Sequence, residues 1–119
     1  MHHNMKLKNT PFEKIKNGKK TMELRLYDEK RKLLNIGDTI TFTNMENSEE
    51  LTVKVIGLHR FDSFKDLYNN IDKKLIGYDE NEVVDPNHMN EYYSIEEQKK
   101  YGVLAIEIEL IKGDEKNGC

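Results

Sequence analysis

Strict two-residue alternation of apolar and polar side chains recurs along this chain, and nothing else in it narrows the fold as much. In the stretch GKKTMELRL, Met22, Leu24 and Leu26 fall on one parity and Thr21, Glu23 and Arg25 on the other. Ile40 and Phe42 stand between threonines, and Leu51, Val53 and Val55 alternate in the same way. Leu104, Ile106, Ile108 and Leu110 do so with Ala105, Glu107 and Glu109 between them. A β-strand sends successive side chains to opposite faces, and each of these segments reads as a strand with one buried face. Met5-Lys6-Leu7 adds a short first strand.

Helical signals fall between the strands. Thr10-Pro11-Phe12-Glu13 offers a hydroxyl N-cap, a proline at the first helical position and a glutamate at N3, which predicts a capping box. Phe12 and Ile15 share the inner face of that helix, and Gly18 is placed to end it. Later, Ser63-Phe64-Lys65-Asp66 predicts a second N-cap, with Phe64, Leu67, Tyr68 and Ile71 at helical spacing. Asp79 is expected to open an acidic helical stretch interrupted at Pro86, and Ser94-Ile95-Glu96-Glu97 a further capped helix stopping near Gly102.

The order is strand, short helix, three strands, a helical insertion and a closing strand. It predicts an α+β fold, a small and mostly antiparallel barrel, because closure removes exposed strand edges. The insertion is expected to pack on one side and leave a cleft against the barrel mouth. A chain of 119 residues is enough for one domain with one core. Residues 1–4 are expected to be a disordered start, 5–111 the domain, and 112–119 a polar tail.

No apolar run approaches the roughly 20 residues needed to span a bilayer, and the start MHHNMKLKNT has no apolar core of a signal peptide. The single cysteine is Cys119, which excludes an internal disulfide. A cytoplasmic protein is the expectation. The formal net charge of −3 does not advertise nucleic-acid binding. Its distribution is uneven, with 12 basic and 8 acidic residues in 1–60 against 7 and 14 in 61–119. Six lysines and one glutamate lie between Lys6 and Lys20, either a solvated face or a patch that attracts phosphate.

The usual catalytic signatures do not fit. Gly18-Lys19-Lys20-Thr21 resembles the end of a phosphate-binding loop, but that motif needs glycine where Glu13 stands, and it runs from strand to helix instead of helix to strand. His2, His3, His59, His88 and Cys119 show no metal-ligand spacing, and neither a metal nor a cofactor is expected. No serine–histidine–aspartate order or reactive-cysteine context supports nucleophilic catalysis.

The polar parity of the opening strand remains. Side chains two apart on a strand stand about 6.6 Å apart, a spacing that lets Glu23 and Arg25 share one ligand. Arginine suits phosphate, carboxylate or a base face, glutamate accepts from exocyclic amines, and threonine donates or accepts. An ordinary solvent-facing side of a sheet explains the same parity. In Tyr92-Tyr93 one ring is expected in the core and the other at the cleft, where it can stack on a base. Tyr93 is the ring assigned to the ligand.

These residues, in this order, resemble the ASCH domain (activating-signal-cointegrator homology) of the PUA-like superfamily. The match is Pro11-Phe12-x-x-Ile15-x-x-Gly18-x-Lys20-Thr21-x-Glu23-x-Arg25, then Ile36-Gly37-Asp38 and a strand. Tyr92-Tyr93-Ser94 through Tyr101-Gly102-Val103 is similar as well. The resemblance implies a β-barrel whose cleft is rimmed by Lys20, Thr21, Glu23 and Arg25, and a role in binding RNA or a nucleotide-like ligand. One branch of the family is an amidohydrolase of N4-acetylcytidine. Its proposed machinery uses the motif lysine, matched by Lys20, a threonine at the position of Glu23, and a later glutamate that has no clear counterpart here. If the chain is an enzyme of this kind, Lys20 and Glu23 are the catalytic candidates, with Glu23 as a base for water. A ribonuclease-like branch finds no histidine pair here to support it. A cleft that binds a protein partner is the third reading left open.

Overall fold

The computed structural model describes residues 1–111; the expected tail at 112–119, with Cys119, lies outside the described residues. Five strands form a single curled sheet, a half-barrel: β1 (His2–Leu7), β2 (Met22–Leu26), β3 (Thr39–Asn44), β4 (Glu50–Phe61) and β5 (Val103–Leu110). Their order across the sheet is β1-β3-β4-β5-β2. β1 runs parallel to β3, and every other pairing is antiparallel. Three helices accompany the sheet among the described residues: α1 (Asn9–Lys16), α2 (Phe64–Asn70) and α3 (Ile95–Tyr101).

The strands follow the alternation. Met5 and Leu7 of β1, Ile40 and Phe42 of β3, Val53 and Val55 of β4 and Leu104, Ile106 and Ile108 of β5 fill the concave side, closed by Phe12 and Ile15 of α1. A bulge between Val55 and Gly57 resets the parity of β4, and a Cβ at Gly57 would stand only 2.5 Å from Glu107 Oε1.

β2 reverses the expected assignment of its faces. In the antiparallel register Glu23 lies opposite Ile106 and Arg25 opposite Leu104, and directly opposed residues share a face. The polar row therefore points to the concave side with the main core. Met22, Leu24 and Leu26 point the other way, into a second core with Val103, Ala105, Phe64, Leu67 and Ile76. The insertion between β4 and β5 builds that second core, and it buries the first half of β5, an interior strand, on both faces. Gln98 on α3 holds the insertion together. Its Oε1 accepts from the Phe64 amide at 3.0 Å, and its Nε2 donates to Asn90 Oδ1 and the Tyr93 carbonyl. A buried amide with all these partners costs little to desolvate.

Three expectations about element ends need correction. The chain is not disordered at 1–4: β1 begins at His2, registered on Thr39. Its polar partners explain why no apolar signal marked it. The His2 ring hydrogen-bonds with the hydroxyls of Thr39 and Thr41, and buried His3 pairs through Nε2 with Asp38 Oδ2 at 2.8 Å. The hydrogen bond from His3, then those from the Asn35 amide and the Met1 ammonium, hold the Asp38 carboxyl down at about 2.

α1 starts at Asn9 with Lys8 as N-cap and no side-chain cap, so Thr10 and Glu13 make no capping box. Instead Asn9 Oδ1 accepts from the buried Asn44 at 2.9 Å, tying the helix start to the β3–β4 turn. Pro11 then falls among the first helical positions, whose N–H groups have no partner within the helix. At the other end Gly18, at φ +82°, closes a Schellman motif: its N–H bonds to the Ile15 carbonyl and that of Lys19 to the Lys14 carbonyl.

The acidic stretch from Asp79 is not a helix. Asp79 accepts the Glu82 amide through its carbonyl, Glu82 Oε1 accepts the Asp79 amide, and Asp85 Oδ1 accepts the Asn87 amide. Such local turns compete with helix, and only a 3₁₀ turn at His88–Glu91 forms. The caps at Ser63 and Ser94 do form, the latter as a full capping box with Glu97.

Candidate functional site

The edge strands β1 and β2 are not joined by a ladder. Arg25 bridges the seam, its Nη2 donating to the Lys6 carbonyl at 2.8 Å, and Lys30 Nζ caps the Asn4 carbonyl of the same edge at 3.2 Å. At the start of β2 the Leu75 carbonyl takes the amides of Thr21 and Met22. Both edges are thereby blunted against pairing with another chain.

A cleft of about 860 Å³ opens over this seam. The end of β1 and helix α1 form one wall, carrying Lys6 and Lys8 before the helix and Lys14 in its last turn. The insertion forms the other, carrying Tyr68, Tyr78, Tyr92 and Tyr93. Lys20, Glu23 and Arg25 lie at its floor.

Glu23 is buried, with Oε1 3.0 Å from Lys20 Nζ and Oε2 2.8 Å from Arg25 Nε. Burial pushes its carboxyl up, but the charges and hydrogen bonds of Lys20 and Arg25 outweigh burial and hold it below the usual carboxylate range. Tyr68 is shifted the opposite way: burial first, then its neighbour Tyr78, raises its phenol. It stays protonated and able to donate a hydrogen bond. Among the described residues no cluster of three or more metal-ligating side chains occurs, and no helix is long and apolar enough to cross a membrane.

Of the residues singled out in the sequence, Lys20, Glu23, Arg25 and Tyr93 come together at the cleft and Thr21 does not. Thr21 precedes β2, its backbone is held by Leu75 and Ile108, and it borders a smaller depression beside Gly18 and Glu107. The two tyrosines divide roles as adjacent residues at a wall must. Tyr93 stacks on Phe64 at 5.4 Å between centroids, as part of the second core, while Tyr92 is 51% exposed at the rim. Lys8 Nζ sits 4.9 Å from the Tyr92 ring centre. Sequence reasoning passed over Lys6, Lys8, Lys14, Tyr68 and Tyr78 as site residues. The lysine cluster was the available signal for three of them. The two tyrosines carried none, because helical spacing assigns Tyr68 to a core and Tyr78 stands in a loop.

Residues 5–112 match the family model of the ASCH domain. The chain belongs to the ASCH domain family. Hypothetical protein PH0355, known from a crystal structure, is 38% identical to this ASCH domain, with a TM-score of 0.79 over 93% of this chain and 100% of its own. Protein PF0455 from Pyrococcus furiosus, solved by NMR, is 33% identical, with a TM-score of 0.72 over 94% and 99%. The ASCH protein from Zymomonas mobilis shares the fold at 13% identity, with a TM-score of 0.63 over 97% of this chain and 76% of its own. No curated protein matches this ASCH domain. The half-barrel with three helices is the fold these structures share with it.

Proposed function

We propose that this ASCH domain binds single-stranded RNA or a nucleotide-like ligand in the cleft over the β1–β2 seam. One observation carries the reading: lysines without carboxylate partners line one wall, and tyrosine rings stand directly beside them on the other. Among the described residues Lys6, Lys8 and Lys14 make no ion pair, although the chain as a whole is acidic. Unneutralised cations next to an exposed ring, Tyr92, and a half-buried one, Tyr78, suit a ligand that brings phosphate and a flat base together. The acidic remainder of the surface disfavours wrapping of a duplex.

The floor favours binding over hydrolysis. Glu23 stands where a threonine would act in the amidohydrolase branch, and both its oxygens are engaged by cations. A carboxylate held below its usual range is a weak base for water. In this reading Glu23 fixes Lys20 and Arg25 and keeps two further lone-pair sites for a ligand N–H.

The test is an NMR titration of the labelled full chain with cytidine, N4-acetylcytidine, CMP and a short single-stranded RNA, following free acetate alongside. Saturable shifts at the Lys8, Lys14 and Lys20–Arg25 amides without acetate are the expected result. Acetate release would replace binding by hydrolysis, and silent amides with every compound would remove the reading.

A further inference from the structure

The six lysines between Lys6 and Lys20 do not act as one patch. Lys16 is taken by Glu49 at 2.5 Å, Lys19 by Asp79 at 2.6 Å and Lys20 by Glu23 at 3.0 Å. The three that remain unpaired among the described residues, Lys6, Lys8 and Lys14, all line the cleft, and of the paired three only Lys20 does, at the floor beside Glu23. Positive charge is therefore concentrated inside the cleft and neutralised at Lys16 and Lys19, where a longer strand would continue over the surface.

Two of the free lysines each have a tyrosine of their own. Lys8 Nζ is 4.9 Å from the centre of Tyr92, and Lys14 Nζ is 5.9 Å from the centre of Tyr78. Lys8 is the N-cap of α1 and Lys14 lies in its last turn. Six residues of helix separate them by about 9 Å along the axis. Bases stacked in a strand are about 3.4 Å apart. The two lysine–tyrosine pairs are thus anchored at opposite ends of α1, a wider spacing along the helix than one stacking step, and each is a separate place for a base and a phosphate.

The geometry points to a cleft that takes two consecutive, unstacked nucleotides of a single strand, one base at Tyr92 beside Lys8 and the other at Tyr78 beside Lys14. This rests on the proposed function and narrows it, from any nucleotide-like ligand to a two-nucleotide stretch of single-stranded RNA. Splayed bases on aromatic rings are how single strands are read, since a duplex keeps its bases stacked and paired. Lys8 covers the Tyr92 ring in the free protein, and binding exchanges that contact for base on ring and ammonium on phosphate. Each exchange draws on base–aromatic stacking, which makes a second occupied subsite worth about tenfold in affinity or more.

The test is calorimetry on the full chain with 5′-phosphorylated mixed-sequence RNA of one, two, four and twelve nucleotides, and with a twelve-base-pair duplex. The expected result is a gain of about tenfold from one to two nucleotides, little further gain beyond four, and weak duplex binding. Tyr92→Ala, at an exposed ring, and Lys14→Ala should each bring the dinucleotide back towards the mononucleotide, while Lys16→Ala, outside the cleft, leaves it unchanged. A mononucleotide that binds as tightly as the dinucleotide overturns the two-subsite inference and leaves the proposed function standing. Affinity that keeps rising to twelve nucleotides, or that matches on the duplex, overturns it as well. Absence of binding to every RNA, with silent cleft amides, removes both.

Discussion

Glu23 decides the character of the cleft floor. It is a buried anion held by two nearly buried cations, Lys20 and Arg25, whose side chains are 11% and 13% exposed. Taking these charges out of water is costly, and their mutual contacts offset that cost only while all three are present. Glu23→Ala leaves two buried cations unpaired and is expected to lower stability by about 3 kcal/mol or more, read as a lower midpoint in urea unfolding. The pH dependence follows from the sign of the shift. The folded carboxyl sits below its unfolded value of about 4.5. Its stabilising contribution is complete above that value and is lost as the pH falls below it towards the folded pKa. Wild type should therefore lose more stability than Glu23→Gln between pH 5 and pH 3. Equal acid sensitivity would mean the triad contributes nothing to folding. Parity revealed that Glu23 and Arg25 share a face, but not that each would be the other's partner, because pairing depends on how far Lys20 can fold back over the seam.

The elements show where local signals suffice. The serine caps at Ser63 and Ser94, the apolar parity of β3 and β5 and the glycine stop at Gly18 are each determined within a few residues, and each forms as the sequence predicts. Misread ends are those settled by a distant partner: Asn44 for the start of α1, Asp38 and two threonines for the start of β1. The glycines that end α1 and α3 give a graded prediction. A Cβ added at Gly18 would have nothing within 4 Å, so Gly18→Ala meets only the left-handed backbone penalty, about 1 kcal/mol. Gly102, at φ +76° and ψ −178°, occupies a region open almost only to glycine, and an added Cβ would stand 3.3 Å from the Phe61 carbonyl. Gly102→Ala should cost more than Gly18→Ala, by about 1–3 kcal/mol in all; thermal unfolding of the two variants reads the order directly. A reversed order would contradict the described hand-over from α3 to β5.

At the scale of the whole molecule the relevant quantity is where charge is left unpaired. A net charge of −3 disperses over the surface, while Lys6, Lys8 and Lys14 converge on one cleft. Binding of a short RNA should weaken with added salt with a logarithmic slope of about −1.4 to −2, as for two or three phosphates on a single strand. Lys8→Ala and Lys14→Ala should each flatten that slope by about 0.7, and slopes unmoved by both would place binding on another face. Much of this molecule follows from the sequence by itself: the α+β class, the strands and their two parities, the insertion before the last strand, and the family, all of which rest on contacts between near neighbours or on periodicity. Tertiary structure alone decided that the polar parity of β2 faces the concave side, that Arg25 closes the seam, and which three of six lysines stay free. Register between β2 and β5 and the reach of Glu49, Asp79 and Glu23 set those outcomes, and a strand's own pattern is identical whichever way its two faces are turned.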